Sequence, residues 1–102
     1  MVTRIWRATA TADGAKKYRQ HFEHNVMPEL TNLKGFRQAY LLTREHSGAV
    51  DIEVHTLWES LDAIRAFASP DVEAAVVEPQ AQAVLTGYDR TVTHFSTLAY
   101  LP

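Results

Sequence analysis

Ala49-Val50-Asp51-Ile52-Glu53-Val54-His55-Thr56-Leu57-Trp58-Glu59-Ser60-Leu61-Asp62-Ala63-Ile64-Arg65-Ala66-Phe67-Ala68 changes its hydrophobic period partway along. Up to Trp58 the period is two. Val50, Ile52, Val54 and Trp58 fall on one side, and Asp51, Glu53 and His55 fall on the other. That is a β-strand with one buried and one polar face. After Ser60 the pattern is helical. Ser60 supplies an N-cap oxygen, Asp62 places negative charge in the first turn, and the helix runs over Leu61 to Ala68.

Upstream, Phe36 to Arg44 reads as a second strand joined to the first through His46-Ser47-Gly48, where Gly48 is free to take positive φ. Ala12 to about Leu30 reads as a helix, because Ala15, Tyr18, Phe22, Val26 and Leu30 form one apolar stripe. Pro28 is expected to distort that helix or end it early. Val2 to Ala10 has β-branched and aromatic residues without a breaker, so it reads as the opening strand. Downstream, Ser69-Pro70-Asp71 predicts a further helix to about Val77, with Ser at the cap and Pro at the first helical position. Gln80 to Tyr88 is a connection, and Thr91 to Tyr100 is the last strand. The order is β-α-β-β-α-β, an α+β chain of the ferredoxin-like type: a four-stranded antiparallel sheet with helices on one face. It is expected to form a single domain over residues 1–102.

Composition removes several function classes. Of 102 residues 46% are apolar and 22% charged, so the chain has the balance of a globular protein. It has no cysteine, which excludes disulfides, thiolate metal sites and a cysteine nucleophile. A formal net charge of −2 with scattered Lys and Arg offers no field for nucleic acid. No apolar run is long enough to span a bilayer, and the N-terminus has no uninterrupted apolar stretch of the signal-peptide kind. The expected location is cytoplasmic.

Helices cover one face of such a sheet, and three of the strands carry large apolar groups on both faces. Phe36, Tyr40 and Leu42 oppose Ala39 and Leu41. Trp6 and Val2 oppose Ile5. Phe95 and Ala99 oppose Val92, Leu98 and Tyr100. A lone monomer would expose too much apolar sheet, so sheet-to-sheet homodimerisation is expected.

The segment Thr56 to Ala68 and its continuation Ser69-Pro70-Asp71-Val72-Glu73-Ala74-Ala75-Val76 resemble the antibiotic biosynthesis monooxygenase family. The likeness extends to the opening Arg4-Ile5-Trp6-Arg7 and the closing Thr91-Val92-Thr93-His94-Phe95. It implies a dimeric α/β barrel. For activity it implies cofactor-independent oxygenation, haem degradation, or no reaction at all. The haem-degrading branch has an Asn on the first strand, a Trp ending the second helix and a ligating His ten residues later. Here those places fall at Trp6 or Arg7, Phe67 and Val77, which argues against a histidine-ligated haem.

Cofactor-free oxygenation needs an apolar pocket, a proton acceptor and donors that orient an electron-rich ring. Tyr18, Phe22, Trp58 and Phe67 are the residues expected around a substrate, with His21 as the candidate proton acceptor. Each also has a packing reading: Trp58, Phe22 and Phe67 as core, His21 as a boundary residue. His21 and His24 lie three apart, but no third metal ligand is specified, so no metal and no cofactor are expected. The leading expectation is a cofactor-independent monooxygenase acting on a small phenol- or quinol-like substrate. The alternatives are a non-catalytic homodimeric module holding a small hydrophobic ligand, and a divergent haem-degrading relative.

Overall fold

The computed structural model describes residues 1–68 and 70–102; Ser69, the expected cap of the third helix, lies outside them. Strands β1 (Val2–Ala10), β2 (Phe36–His46) and β3 (Ala49–Trp58) form the body of the sheet. Two short strands, β4 (Gly87–Tyr88) and β5 (Thr93–Ser96), pair successively along the free edge of β1. The order is β2-β3-β1-β4 with β5 also on β1, and every pairing is antiparallel, as the ferredoxin-like arrangement requires.

Between β1 and β2 runs one helical stretch: α1 (Ala12–His21), a π-helical turn (Phe22–Val26) and α2 (Met27–Thr31). Thr11 caps it by accepting from Gly14 N–H at 2.9 Å. The expected stripe is inward: Tyr18, Phe22 and Leu30 are buried, with Ala15 and Val26 half-buried. Its last members are four residues apart, and on an α-helix a four-residue step overshoots a full turn by about 40°. The wider π turn, closed by Met27 N–H to the Phe22 carbonyl, offsets that drift. It also leads directly into Pro28, which has no N–H to give and would clash with the carbonyl four residues earlier. The helix therefore bends its hydrogen-bond pattern instead of stopping at Pro28.

The β2–β3 hairpin turns through Ser47 (φ 51°) and Gly48 (φ 79°). β3 has the bounds expected of it, and α3 (Leu61–Ala68) follows, with the Ser60 hydroxyl accepting from Ala63 N–H. Three expectations need correction. The first concerns Phe36, which does not share a face with Tyr40 and Leu42. A bulge between Phe36 and Gln38 shifts the parity, so Phe36 packs edge-on against Trp58 while Tyr40 and Leu42 face outward. The second concerns residues 70–77, which are not helical. Asp71 accepts from Glu73 N–H in a local turn, and Ala74 bridges to Thr91 as an extended segment. The third concerns the last strand, which is β5 (Thr93–Ser96), shorter than Thr91 to Tyr100, and which follows the separate α4 (Pro79–Gln82) and β4 in sequence.

Two apolar clusters lie between sheet and helices. One gathers Trp6, Tyr18, Phe22, Val50 and Ile52, the other Leu30, Trp58, Ile64 and Ala68. Gly35 (φ 87°) makes the second possible: a Cβ there would sit 2.6 Å from the Ala63 Cβ on α3. Gly48 also has positive φ but nothing within 4 Å. Gly48→Ala should therefore cost only the left-handed penalty of about 1–2 kcal/mol. Gly35→Ala should cost more, because α3 must also retreat from its seat. Urea denaturation midpoints of the two variants measure the difference.

Candidate functional site

The sheet face under the helices carries Val2, Arg4, Trp6, Ala8 and Ala10 from β1, in register with Trp58, Thr56, Val54, Ile52 and Val50 of β3. Arg4 and Thr56 are cross-strand neighbours and separate the two apolar clusters. Among the described residues the buried polar side chains are Arg4, His21 and Thr56, and all three line one small, partly open cavity of about 50 Å³. Trp6, Tyr18, Phe22 and Phe67 give it aromatic walls, and Val76, Val77 and Glu78 form the side made by the non-helical segment.

Four of the five candidates from the sequence, Tyr18, His21, Phe22 and Phe67, meet at this cavity. Trp58 stands one layer behind it. It is fully buried, lies 6.0 Å from the Phe67 ring centroid, and donates its indole N–H to Thr56 Oγ1 at 2.8 Å. The Tyr18 ring lies 5.7 Å from Trp6, 5.9 Å from His21 and 6.4 Å from Phe22, centroid to centroid. Burial, then the charge of Glu78, pushes the Tyr18 phenol well above its ordinary value, so it stays protonated and can only donate or accept as a neutral hydroxyl. His21 Nδ1 lies 3.0 Å from Asn25 Nδ2, one turn on. With the amide nitrogen toward the ring, Nδ1 accepts and a neutral imidazole carries its proton on Nε2. With the amide oxygen toward it, Nδ1–H donates and Nε2 is free to take a proton.

Arg4 was not singled out by the sequence reading. Its signal was its parity: a charge on the same inward face as Val2 and Trp6. The guanidinium donates to the carbonyls of Val72 and Ala74, contacts His94 Nε2 at 3.3 Å, and lies 5.8 Å from the Phe67 centroid. Burial lowers its pKa to about 10, against the opposing pull of Asp71, so it remains a cation at neutral pH. Trp6 was also missed as a site residue; its indole N–H donates to the Asp89 carbonyl at 2.8 Å, leaving its ring face to the cavity.

His24 is exposed and His55 is on the outer sheet face, 2.8 Å from Glu53 Oε1, a bond that lowers the Glu53 pKa. Among the described residues no three His, Cys, Asp or Glu side chains group as metal ligands, and no helix is long and apolar enough to cross a membrane. A larger concavity of about 650 Å³ opens on the outer face between Arg7, Leu42, Arg44, Glu53 and Tyr88. It is wide, shallow and edged by solvent-facing ion pairs such as Arg7–Glu53 and Arg44–Asp51. The smaller cavity is the better candidate for chemistry, since among the described residues it combines buried polar groups with aromatic walls.

The sequence profile of the antibiotic biosynthesis monooxygenase family matches residues 1–78. No curated protein matches the chain. Among solved structures, the heme-degrader MhuD of Mycobacterium tuberculosis with two hemes bound in its active site is 25% identical, with TM-score 0.64 over 100% of both chains. A mutant of MhuD with two manganese protoporphyrin IX per active site gives TM-score 0.69 at 23% identity, over 100% of this chain and 99% of that one. A candidate antibiotic biosynthesis monooxygenase from Bacillus cereus gives TM-score 0.66 at 14% identity, over 98% of this chain and 97% of the other.

His94 offers a pH test of the Arg4 cluster. Burial first, then the Arg4 charge, hold its pKa below the ordinary histidine value, with Glu73 pulling the other way. The unfolded chain thus binds this proton more readily than the folded one. The stability present above about pH 6.5 should decline as pH falls through the lowered folded-state value. In His94→Gln that part of the acid decline should disappear, as read from urea titrations at about pH 7.5 and about pH 5.5.

Proposed function

Because the chain belongs to the antibiotic biosynthesis monooxygenase family, we propose that it is a cofactor-independent monooxygenase whose cavity receives a small phenol- or quinol-like substrate. The observation that carries this reading is the convergence of Arg4, Tyr18, His21 and Thr56 on one aromatic-walled cavity. In such a reaction the substrate supplies all four electrons that dioxygen takes up: one oxygen atom enters the ring and the other leaves as water. The protein has to bind the ring, remove a proton and keep bulk water out. With the Asn25 amide turned so that its oxygen accepts from Nδ1–H, His21 Nε2 accepts the substrate proton; Tyr18 donates to the substrate oxygen; Phe22 and Phe67 hold the ring by its faces, and Trp58 fixes Thr56 and Phe67 from behind.

At about 50 Å³ the cavity holds one or two water molecules, each of which takes about 30 Å³ in the liquid. A substrate ring therefore requires a wall to move. Residues 72–78 are the wall without regular secondary structure, and Val76, Val77 and Glu78 border the cavity directly. Haem fits less well. Ligand sites of that size class measure about 300–1,000 Å³. The one imidazole lining the cavity, His21, already engages Asn25, and Val77 offers no ligand. No haem chemistry is therefore assigned.

The working unit is a homodimer joined through the outer sheet face. Tyr40, Leu42 and Phe95 stand about half exposed there (51%, 46% and 54%), and Leu98 and Leu101 beyond β5 are almost wholly so (94% and 92%). Three apolar side chains half-exposed on one sheet face, with two more exposed beyond β5, are unfavourable in water and suit a second copy. Sedimentation should give twice the chain mass of 11.5 kDa. Leu42→Lys should shift the boundary toward the monomer, and a wild-type monomer at micromolar concentration would sink the dimer.

Oxygen consumption with a panel of hydroquinones and anthrone-like phenols tests the activity. Tyr18→Phe should keep the melting temperature, since the hydroxyl has no hydrogen-bond partner among the described residues, and should lower kcat/KM about tenfold, the worth of one neutral hydrogen bond in the transition state. Binding of these ligands without oxygen uptake would favour a non-catalytic ligand-holding module. A tight haemin Soret band lost in His21→Ala would favour a haem-degrading relative.

A further inference from the structure

We propose that Arg4 is an anion-recognition group and that the ligand of the cavity is an aromatic carboxylate. This deepens the reading above and rests on the same cavity. A guanidinium offers five N–H groups in a planar fork that matches two carboxylate oxygens. In the structure it meets two backbone carbonyls and one imidazole nitrogen, so none of its hydrogen-bond partners is a carboxylate. Among the described residues these three contacts engage Nη1 and Nη2, and none involves Nε. The side chain is only 4% exposed, lines the cavity, and is backed by the Phe67 ring.

A buried charge in a protein usually sits beside its counter-charge. Here no carboxylate among the described residues forms an ion pair with the guanidinium, and the Asp71 charge acts on it only through space. Asp71 is exposed and bonds the Glu73 backbone N–H, and the Glu78 carboxylate exerts its field on Tyr18 at another part of the cavity wall. The cavity thus has a cationic corner at Arg4 and a neutral hydroxyl at Tyr18. A ring bearing a carboxylate at one end and a phenol at the other satisfies both. Charge-assisted bonds from arginine to a carboxylate are about twice as strong as those to neutral acceptors. An incoming carboxylate can therefore compete with the Val72 and Ala74 carbonyls, which belong to the very wall that has to yield for a ring to fit.

The test compares 4-hydroxybenzoate with 4-hydroxybenzamide, which share ring, phenol and shape and differ in charge. Calorimetry on the wild-type protein should show the carboxylate binding about tenfold tighter than the amide, with the gap narrowing as salt is added. Arg4→Lys should keep part of the preference and Arg4→Gln should abolish it. Backbone amides of Ala74 and Ala75 should exchange faster with deuterium when the carboxylate is bound. Equal affinity for the two probes in the wild type would overturn the proposal without any variant having to fold. So would a preference that survives in Arg4→Gln. Should neutral hydroquinones bind while 4-hydroxybenzoate does not, Arg4 is a structural clasp only and the oxygenase reading stands. Should no aromatic bind at all, both readings fall.

Discussion

A guanidinium on the inward side of β1 is the constraint from which much of this structure follows. Position 4 alternates with Val2 and Trp6, so the strand cannot pair with β3 in its observed register without carrying Arg4 beneath the helices. Leaving that cation unpaired would cost several kcal/mol, about 3–5 for a broken buried pair. The chain meets the demand with backbone. Residues 72–74 form a turn that ends in the Ala74–Thr91 bridge and aim two carbonyls at the guanidinium. A helix there would have consumed those carbonyls internally. The same cation draws His94 of β5 into contact and Phe67 of α3 against its face, so three separate parts of the chain are positioned by one side chain. It also explains why the core is two clusters: a charged group and its acceptors interrupt apolar packing between Trp6 and Trp58.

What could be read from the sequence divides along the range of the forces involved. β1, β3 and α3 have the bounds that periodicity and the Ser60 cap imply, because each is set by neighbours a few residues away, while β2 runs two residues past the expected Arg44, to His46, before the turn at Ser47-Gly48. The misreadings come from long-range terms. Ser69-Pro70-Asp71 is a sound local helix start, but nothing in that tripeptide carries the information that a cation sixty-odd residues earlier needs the carbonyls that follow. The bulge at Phe36 is equally invisible: Gly35 and Trp58 set it through packing, while the local alternation suggests an unbroken strand. Among site residues, the aromatic positions were legible through helical spacing. Arg4 was not, because a charge in a strand is ordinarily read as outward.

The outer face and the cavity make opposite use of charge. Outside, Arg7, Glu53, Asp51, Arg44 and His55 pair with one another in solvent, where such pairs contribute little to stability, about 0–1 kcal/mol each. They keep the sheet soluble around Tyr40, Leu42 and Phe95, and they supply register if a second copy docks. Inside, Arg4 has no carboxylate, and its charge is only shared among dipoles and an aromatic ring. The former arrangement is closed to further ligands by its own pairing. The latter is open, in the sense that a stronger acceptor than a carbonyl lowers its energy.

The π turn connects the backbone problem of Pro28 to the chemistry of the cavity. His21 and Phe22 are adjacent in sequence, about 100° apart on an ordinary helix, yet both are buried against the sheet. The turn beginning at Phe22 allows this by widening the helix where the two side chains descend. Asn25, four residues on, lies 3.0 Å from His21 Nδ1, the neighbour relation that i,i+4 spacing gives on a helix. A regular helix through this region would carry the apolar stripe round by about 40° at each four-residue step. The strain that a proline imposes on a helix, relieved four residues upstream, is thus what faces a titratable ring toward the cavity in which Arg4 and Tyr18 wait.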